Sequence, residues 1–574
     1  MMQYNKEKTV KIEKYIGVYN EMKTELRPNG MTTSYVYPRR ILWTSSAPEA
    51  EVRNAECLLR NCDGQATLES RELCRMINRG ARAGILLDFG FEMQGGVRIL
   101  THLLKGNVRI RFGESAMEAM SEIGEKGGAT NDHAIRDLTC PLPFLGSATV
   151  GNTGFRFVRI DFLDEDADLD LREICAVFTY RDVEYQGTFE CDDALLNEIF
   201  HTAAYTVHLN MQTYLWDGIK RDRLVWIGDM HPEISTVMNV FGSQDCVTRS
   251  LDLIRDNTPL PSVMNGIPAY TLWWILIQRD LYLYSGNSEY LAGQIGYLRD
   301  AVSYFSGLID ADGKNKIENN FLDWPSSVNE AGQKAGVHAL MILAMDAASD
   351  IFRVLGKSDD AGFAALCAKK LRAAVYDPNG LKQAVALQVL AGQRDPDSAA
   401  ELLTENGVHG YSTFLGYYIL KALGEADRTE DALDAIREYW GTMLGLGATT
   451  FWEDFDIDWA ENCSRLDEIL PPDSDKKDIH GDFGGYCYKG YRHSLCHGWA
   501  SGPAPFLMQY VLGVKPLEPG CRRLLVSPSL GNLKFARGTF PTPFGIVRIE
   551  HRKTDDGEVE TSVDAPHGVE IVLG

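Results

Sequence analysis

Positive charge is in deficit in this chain. Across 574 residues, 57 lysines and arginines face 80 aspartates and glutamates, for a formal net charge of -23 at pH 7. A field of that sign repels nucleic-acid backbones and anionic membranes, so neither is expected as a partner. No run reads as long and apolar enough for a membrane span. The first eight residues, Met-Met-Gln-Tyr-Asn-Lys-Glu-Lys, have no apolar stretch behind their charges. No secretory signal is read there, and a cytoplasmic location is expected. The 12 cysteines lack a framework: the close pairs Cys57/Cys62 and Cys487/Cys496 have neither zinc-ligand nor redox-motif spacing. Buried, reduced thiols are expected. The 12 histidines lack ligand spacing and the acids are interleaved with arginines. No metal and no cofactor is expected. Nothing in the sequence specifies an oligomeric state.

The chain is too long for one hydrophobic core, and about two to four domains are expected. Up to residue 183 the apolar runs are short and broken by glycine and proline. Val108-Arg-Ile-Arg-Phe and Phe155-Arg-Phe-Val-Arg-Ile alternate apolar and basic residues, the period of half-buried strands. A β-sandwich is the economical expectation. From about 184 to 512 the apolar spacing becomes helical, as in Ala339 to Leu355 with Asn329 and Glu330 near its start. Three places join an apolar helix end, a glycine and a polar helix start, at Gly286, Gly356 and Gly424. Repeated αα-hairpins without a strict repeat favour a closed helical toroid over a solenoid. Residues 513–574 return to short strands between turn residues, a small C-terminal β domain.

The densest chemistry lies in Asp217-Gly-Ile-Lys-Arg-Asp-Arg-Leu-Val-Trp-Ile-Gly-Asp229, with three carboxylates, three basic side chains and a tryptophan. A loop of surface ion pairs would carry the same charges, but it would not need Trp226 or Gly228. Downstream come Tyr270-Thr-Leu-Trp-Trp274 and Phe321-Leu-Asp-Trp324, then Gly447-Ala-Thr-Thr-Phe-Trp-Glu453 and Ser494-Leu-Cys-His-Gly-Trp499. Any one tryptophan is readily core. Several beside acids are what a carbohydrate cleft uses, rings for the apolar face of a sugar and carboxylates for its hydroxyls.

The segment Asp217, Arg221, Asp222, Arg223, Leu224, Trp226, Gly228, Asp229 resembles the signature loop D-C-P-Q-R-E-R-L-G-W-T-G-D of the bacterial α-L-rhamnosidases, glycoside hydrolase family 78. The resemblance runs along nearly the whole chain, through Asp88-Phe-Gly-Phe-Glu, Phe189-Glu-Cys-Asp-Asp, Thr449-Thr-Phe-Trp-Glu453 and Ser494-Leu-Cys-His497 in the family's order. It implies a catalytic (α/α)6 barrel at 184–512, flanked by an N-terminal β-sandwich region at 1–183 and a small C-terminal β domain at 513–574. It implies an inverting exo-glycosidase that releases terminal α-L-rhamnose, or a closely similar sugar, from small glycosides or oligosaccharides. Polymers are not expected, because the large N-terminal accessory modules common in the family are missing. Asp222 falls on the general acid and Glu453 on the general base, about 6.5–9.5 Å apart in an inverting enzyme. Asp217 and Asp229 match carboxylates that hold sugar hydroxyls. Arg221, Trp226, Trp274 (or Trp273), Trp324 and His497 match the walls of the sugar site, and Asp323 is a weaker match.

Two departures stand out. The family's acid is glutamate, one methylene longer than Asp222. Gly218-Ile219-Lys220 replaces Cys-Pro-Gln, which is expected to loosen the loop and to add a charge near the leaving group. Two other readings follow. The same fold could act, as hydrolase or lyase, on another sugar or beside a uronic acid, with Lys220 or Arg221 meeting the carboxylate. The chain could also be a catalytically weak sugar-binding relative.

Overall fold

The computed structural model describes residues 30–61, 63–69, 72–127 and 130–574. The readings of the first eight residues and of Cys62 lie outside these. Residues Met31 to Arg181 build a ten-stranded antiparallel sheet. At its centre the long strands Gly84–Thr101, Ser147–Phe162 and Asp168–Arg181 pair in register, with Leu87 opposite Val158 and Ile174 opposite Ile99. The alternation in Val108 to Phe112 does bury Val108, Ile110 and Phe112. The basic residues between apolar ones are not simply solvated, however. Arg111 is buried on Asp161 at 2.7 Å, and Arg156 is buried on Asp88 at 2.8 Å. Arg156 also donates to Gly447 O at 2.9 Å, in the helical region. Part of the polar face of the sheet is therefore an internal interface.

The helical region begins at Ala194–Asn210, whose N-terminal N–H groups at Leu195 and Leu196 bond to the carboxylate of Asp193. Contacts then pass from helix Met230–Val240 to Pro268–Ser285, Glu330–Val354, Lys382–Leu390, Gly416–Glu425 and Pro503–Phe506, and from there back to Met230–Val240. Each of these helices buries most of its residues, as expected where an element is covered on more than one side. Gly286 and Gly356 end their helices with positive φ, as expected. Gly424 does not: it lies inside helix Gly416–Glu425, and Asp427 takes the left-handed conformation instead. The membrane expectation also needs correction. Helix Glu330–Val354 is long and apolar enough by length and composition to cross a bilayer, but 83% of its most apolar stretch is buried inside the protein. It is a core helix.

The C-terminal part forms two small sheets. Strand Thr188–Cys191, just before the first long helix, pairs with Phe535–Thr542, followed by Gly545–Lys553 and Val559–Asp564. Val514–Pro516, Arg523–Val526 and Glu570–Leu573 form the other, whose last pair is parallel. The chain thus has a helical region between antiparallel sheets and a small C-terminal sheet region.

Candidate active site

The segment from Asp217 to Asp229 connects the helix ending at Asn210 to the one beginning at Met230, and it folds around its first carboxylate. Asp217 Oδ2 accepts from Asp222 N and Oδ1 from Leu224 N, both at 2.9 Å. Its backbone oxygen accepts from Asn210 Nδ2 and Gly498 N, also at 2.9 Å. Asp217 therefore shapes the loop that carries Asp222. Gly218 is not a loosening element. A side chain there would meet Arg221 O at 2.6 Å and Cys496 O at 3.0 Å, so the glycine permits the loop to pack closely against the segment at Cys496 and His497. Lys220 does not lie near a leaving group either: its side chain points away from the cavity and is buried against Glu114 of the β region, 2.9 Å away. Arg223 leaves as well, donating to Asn152 O at 2.7 Å and covering the Trp216 ring.

Arg221 turns the other way. Its Nη2 donates to Glu453 Oε1 at 2.8 Å, and its Nη1 stands 3.3 Å from Asp222 Oδ1. Those contacts on two arms of one guanidinium keep the two oxygens within about 9 Å of each other. Burial acts to lower the Arg221 pKa, but Glu453 and Asp222 outweigh it and hold the guanidinium charged. Glu453 Oε2 accepts from Ser494 N at 3.0 Å, which fixes the carboxylate from a second side. Asp222 Oδ1 also stands 3.3 Å from His133 Nε2, contributed by the β region. Neither nitrogen is in hydrogen-bond geometry, and that buried oxygen has no hydrogen-bond partner among the described residues.

Asp229 accepts from Tyr270 Oη at 3.1 Å and pairs with His497 Nε2 at 2.9 Å. The other ring nitrogen, His497 Nδ1, is 4.0 Å from Glu453 Oε1 and has no hydrogen-bond partner among the described residues. Burial pushes the Asp217 carboxyl up to about 7 against the pull of His497, and burial raises Asp229 too. For His497 burial acts downward, yet Glu453, Asp229 and Asp217 together push the imidazole up to about 9. Behind this layer lies Glu233, whose pKa burial raises well above the carboxylate range. Desolvated groups pulled in opposite directions around one cavity are a common mark of a functional site.

That cavity has a volume of about 220 Å³. Asp217, Arg221, Asp222, Asp229, Glu453 and His497 form its polar side, with Cys487 and Arg492 beyond them. Trp226, Tyr270, Phe321, Trp324, Tyr488 and Trp499 supply the rings. Three expected residues are not on this wall. Trp273 is fully buried and packs on Tyr418 and His231, with centroids at 4.9 and 5.4 Å. It borders a separate cavity of about 400 Å³ with Arg279 and Lys421. Trp274 is buried against Tyr297 at 5.1 Å. Their helix brings Tyr270 to the cavity, and the tryptophans lie about one turn deeper, in the core. Asp323 is buried and bonds Ser326 N at 3.0 Å and Ser412 Oγ at 2.6 Å. It braces the turn that presents Trp324 and does not face the cavity. Sequence reasoning missed Tyr270, Tyr488, Trp499 and His133. The first three lay within or beside quoted motifs, whereas His133 had no signal.

Residues 184–377 match the family described as the bacterial alpha-L-rhamnosidase 6 hairpin glycosidase domain, and residues 513–573 match the bacterial alpha-L-rhamnosidase C-terminal domain. An alpha-L-rhamnosidase of Alteromonas sp. (strain LOR) is 25% identical over 580 residues, covering 92% of this chain and 59% of that protein. A GH78 family rhamnosidase of Bacillus sp. GL1 superposes with a TM-score of 0.73 at 22% identity, over 90% of this chain and 55% of that one. A rhamnosidase from Klebsiella oxytoca with rhamnose bound gives a TM-score of 0.65 at 18% identity, over 83% of this chain and 96% of that one. The likeness to the bacterial α-L-rhamnosidases seen in the motifs is borne out. The chain spans 59% of the length of the Alteromonas relative.

Proposed function

We propose that the chain is an inverting, exo-acting glycoside hydrolase that releases terminal α-L-rhamnose, or a closely similar sugar, from small glycosides. In this reading residues 184–512 form an (α/α)6 catalytic barrel, 1–183 a β-sandwich region and 513–574 a C-terminal β domain. The closed circuit of helix contacts supports the barrel. The observation that carries the function is the pair of carboxyls on one guanidinium, Asp222 and Glu453 on Arg221, at the polar side of a ring-walled cavity.

Asp222 acts as the acid and gives its proton to the glycosidic oxygen. Glu453 takes a proton from the water that attacks the opposite face of the sugar. The bound on their separation is compatible with room for that water. His497 and Asp229 meet hydroxyls. The rings take the apolar face of the sugar and the methyl group of a deoxyhexose. The volume is below the roughly 300–1,000 Å³ of pockets that accept drug-sized ligands, which suits a single ring and hence exo action. The uronate reading loses Lys220, which faces away from the cavity.

The test is turnover of a panel of aryl glycosides by the unsubstituted protein, with Asp222→Asn and Glu453→Gln beside it. Turnover of the α-L-rhamnoside with inversion at the anomeric carbon, lost by at least about 10³-fold in each variant on a poor leaving group, is expected. Retention of configuration, an unsaturated product, or variants as active as the parent would overturn the assignment.

A further inference from the structure

Lys220 carries a charge that the proposed reaction does not use. It stands where the family's loop has glutamine, and its side chain is only 9% exposed. Its ammonium lies 2.9 Å from Glu114 Oε2 and 3.4 Å from Glu118 Oε1, and it donates to Tyr491 O at 2.9 Å and His493 O at 2.6 Å. His480 Nε2 is 3.4 Å away. Glu114, Glu118 and His480 have ligand atoms within 4.8 Å of one another, a spacing that would also suit a metal ion. In this chain the ammonium sits among them. Burying an ammonium costs several kcal/mol unless carboxylates and carbonyls surround it, and here they do.

The cluster joins segments that sequence keeps apart. Glu114 and Glu118 follow strand Gly106–Gly113 of the N-terminal sheet, while Lys220 belongs to the loop of Asp222. Glu114 Oε2 also accepts from Leu495 N at 2.7 Å. The N–H one residue earlier, at Ser494, holds Glu453 Oε2 at 3.0 Å. Arg221, next in the chain to Lys220, holds Glu453 Oε1. Both attachments of Glu453 therefore come from backbone fastened to one buried ion pair. Burial pushes Glu114 up to about 7, against the pull of Lys220, so without the ammonium the carboxyl would tend to take up a proton.

We infer that Lys220 and Glu114 are positioning residues: their buried ion pair is the lock by which the N-terminal sheet holds Glu453 and the Arg221–Asp222 arm in working register. This rests on the reading of Asp222 and Glu453 as acid and base. Neither Lys220 nor Glu114 lines the cavity, so their loss should misplace the carboxyls and leave the sugar walls intact.

The experiment is a double-mutant cycle on an aryl α-L-rhamnoside with Lys220→Gln, Glu114→Gln and the double variant Lys220→Gln/Glu114→Gln. Each single variant should lose about 10²-fold in kcat, the scale of an ångström of misplacement, with KM within about threefold. The double variant returns the cluster to the parent's net charge, now carried by the buried Glu118 alone, and should recover part of the loss. If a single variant fails to fold, the double variant against the other single carries the test. Single variants with kcat within about twofold of the parent, or losses that simply multiply in the double variant, would overturn the lock. An active parent with indifferent variants overturns this inference alone. A parent without glycosidase activity overturns the proposed function and this inference with it.

Discussion

Arg221 and Glu453 lie 232 positions apart in the chain and 2.8 Å apart in space, Nη2 to Oε1. The same guanidinium reaches Asp222 with its other arm. Replacing it with a single point charge would keep attraction and lose the fork. Arg221→Ala is expected to lower kcat on an α-L-rhamnoside by about 10²-fold or more, and to cost about 3 kcal/mol of stability because the buried Glu453 loses its nearest cation. Arg221→Lys should recover stability more fully than kcat. Steady-state kinetics beside urea unfolding separates the two, and equal recovery of both would count against an orienting role.

The tryptophans divide into wall and core, and substitution should tell them apart. Trp324 is half-buried on the cavity and stacks on Tyr486 at 5.9 Å. Trp324→Ala is expected to raise KM by about tenfold, the loss of a 1–2 kcal/mol ring contact, with little change in unfolding. Trp273 is expected to behave in reverse. Trp273→Ala should destabilise by about 3–5 kcal/mol and leave KM within about twofold where the protein is folded. A large KM effect at Trp273 would return it to the sugar site.

His497 gives stability a pH dependence of definite sign. Its pKa is raised in the folded protein from 6.5 to about 9, so its contribution is complete below about 6.5 and is lost as pH rises through 9. Asp217 acts in the same direction at lower pH. Raised from 3.8 to about 7, it holds its proton in the folded state where the unfolded chain has lost it, so stability falls as pH climbs through that window. The parent should exceed His497→Gln by on the order of 3 kcal/mol at pH 6, and the gap should close toward pH 9.5. Urea unfolding across that range measures it, and a gap that widened with pH would reverse the assigned shift.

How much of this was legible depended on whether the signal was contiguous. Asp217, Asp222, Trp226 and Asp229 sit in one segment, and Glu453 and His497 in two short motifs, so their convergence on one cavity could be anticipated in order and in kind. The orientation of rings on helix Pro268–Ser285 could not. From Ala269 to Gln278 every residue is buried, so apolar periodicity marks no face, and Tyr270 rather than Trp273 reaches the cavity. Lys220 misled because neighbours in sequence need not point the same way. Its partner Glu114 lies 106 positions earlier, just past a strand whose period says nothing about ion pairs. His133 touches Asp222 from a stretch with no periodic pattern at all.

Gly228 ties the signature segment to the cavity wall. A side chain there would stand 2.4 Å from the Tyr270 ring, and Tyr270 in turn donates to Asp229. Gly228→Ala is expected to displace the ring, cost about 1–3 kcal/mol through overpacking and weaken sugar binding as Asp229 loses a donor. The companion Tyr270→Phe keeps the ring and removes only the hydroxyl, so it should weaken binding with a smaller change in stability. Calorimetric titration with L-rhamnose and thermal unfolding of both variants test the pair. Equal stability losses would show that the hydroxyl, not the close approach, dominates.

Asp222 is where the chain departs in kind from the loop it resembles, and the pocket around it sets a clear expectation. Its Oδ1 stands 3.3 Å from Arg221 Nη1 and from His133 Nε2, with no hydrogen bond among the described residues to break. The side chain is 20% exposed, so a further methylene has room to extend into the cavity. Asp222→Glu should therefore retain kcat within about tenfold of the parent, while Asp222→Asn, which cannot donate the proton, should lose at least about 10³-fold. An aryl rhamnoside with a very good leaving group needs little protonation, and on it the Asn variant should regain much of its rate. His133→Ala should leave that activated substrate untouched and slow only poor leaving groups, because His133 meets the acid and not the base. If Asp222→Glu were as inactive as Asp222→Asn, or if leaving-group quality made no difference to the Asn variant, the proton would have to come from elsewhere, and His133 would be the next residue to substitute.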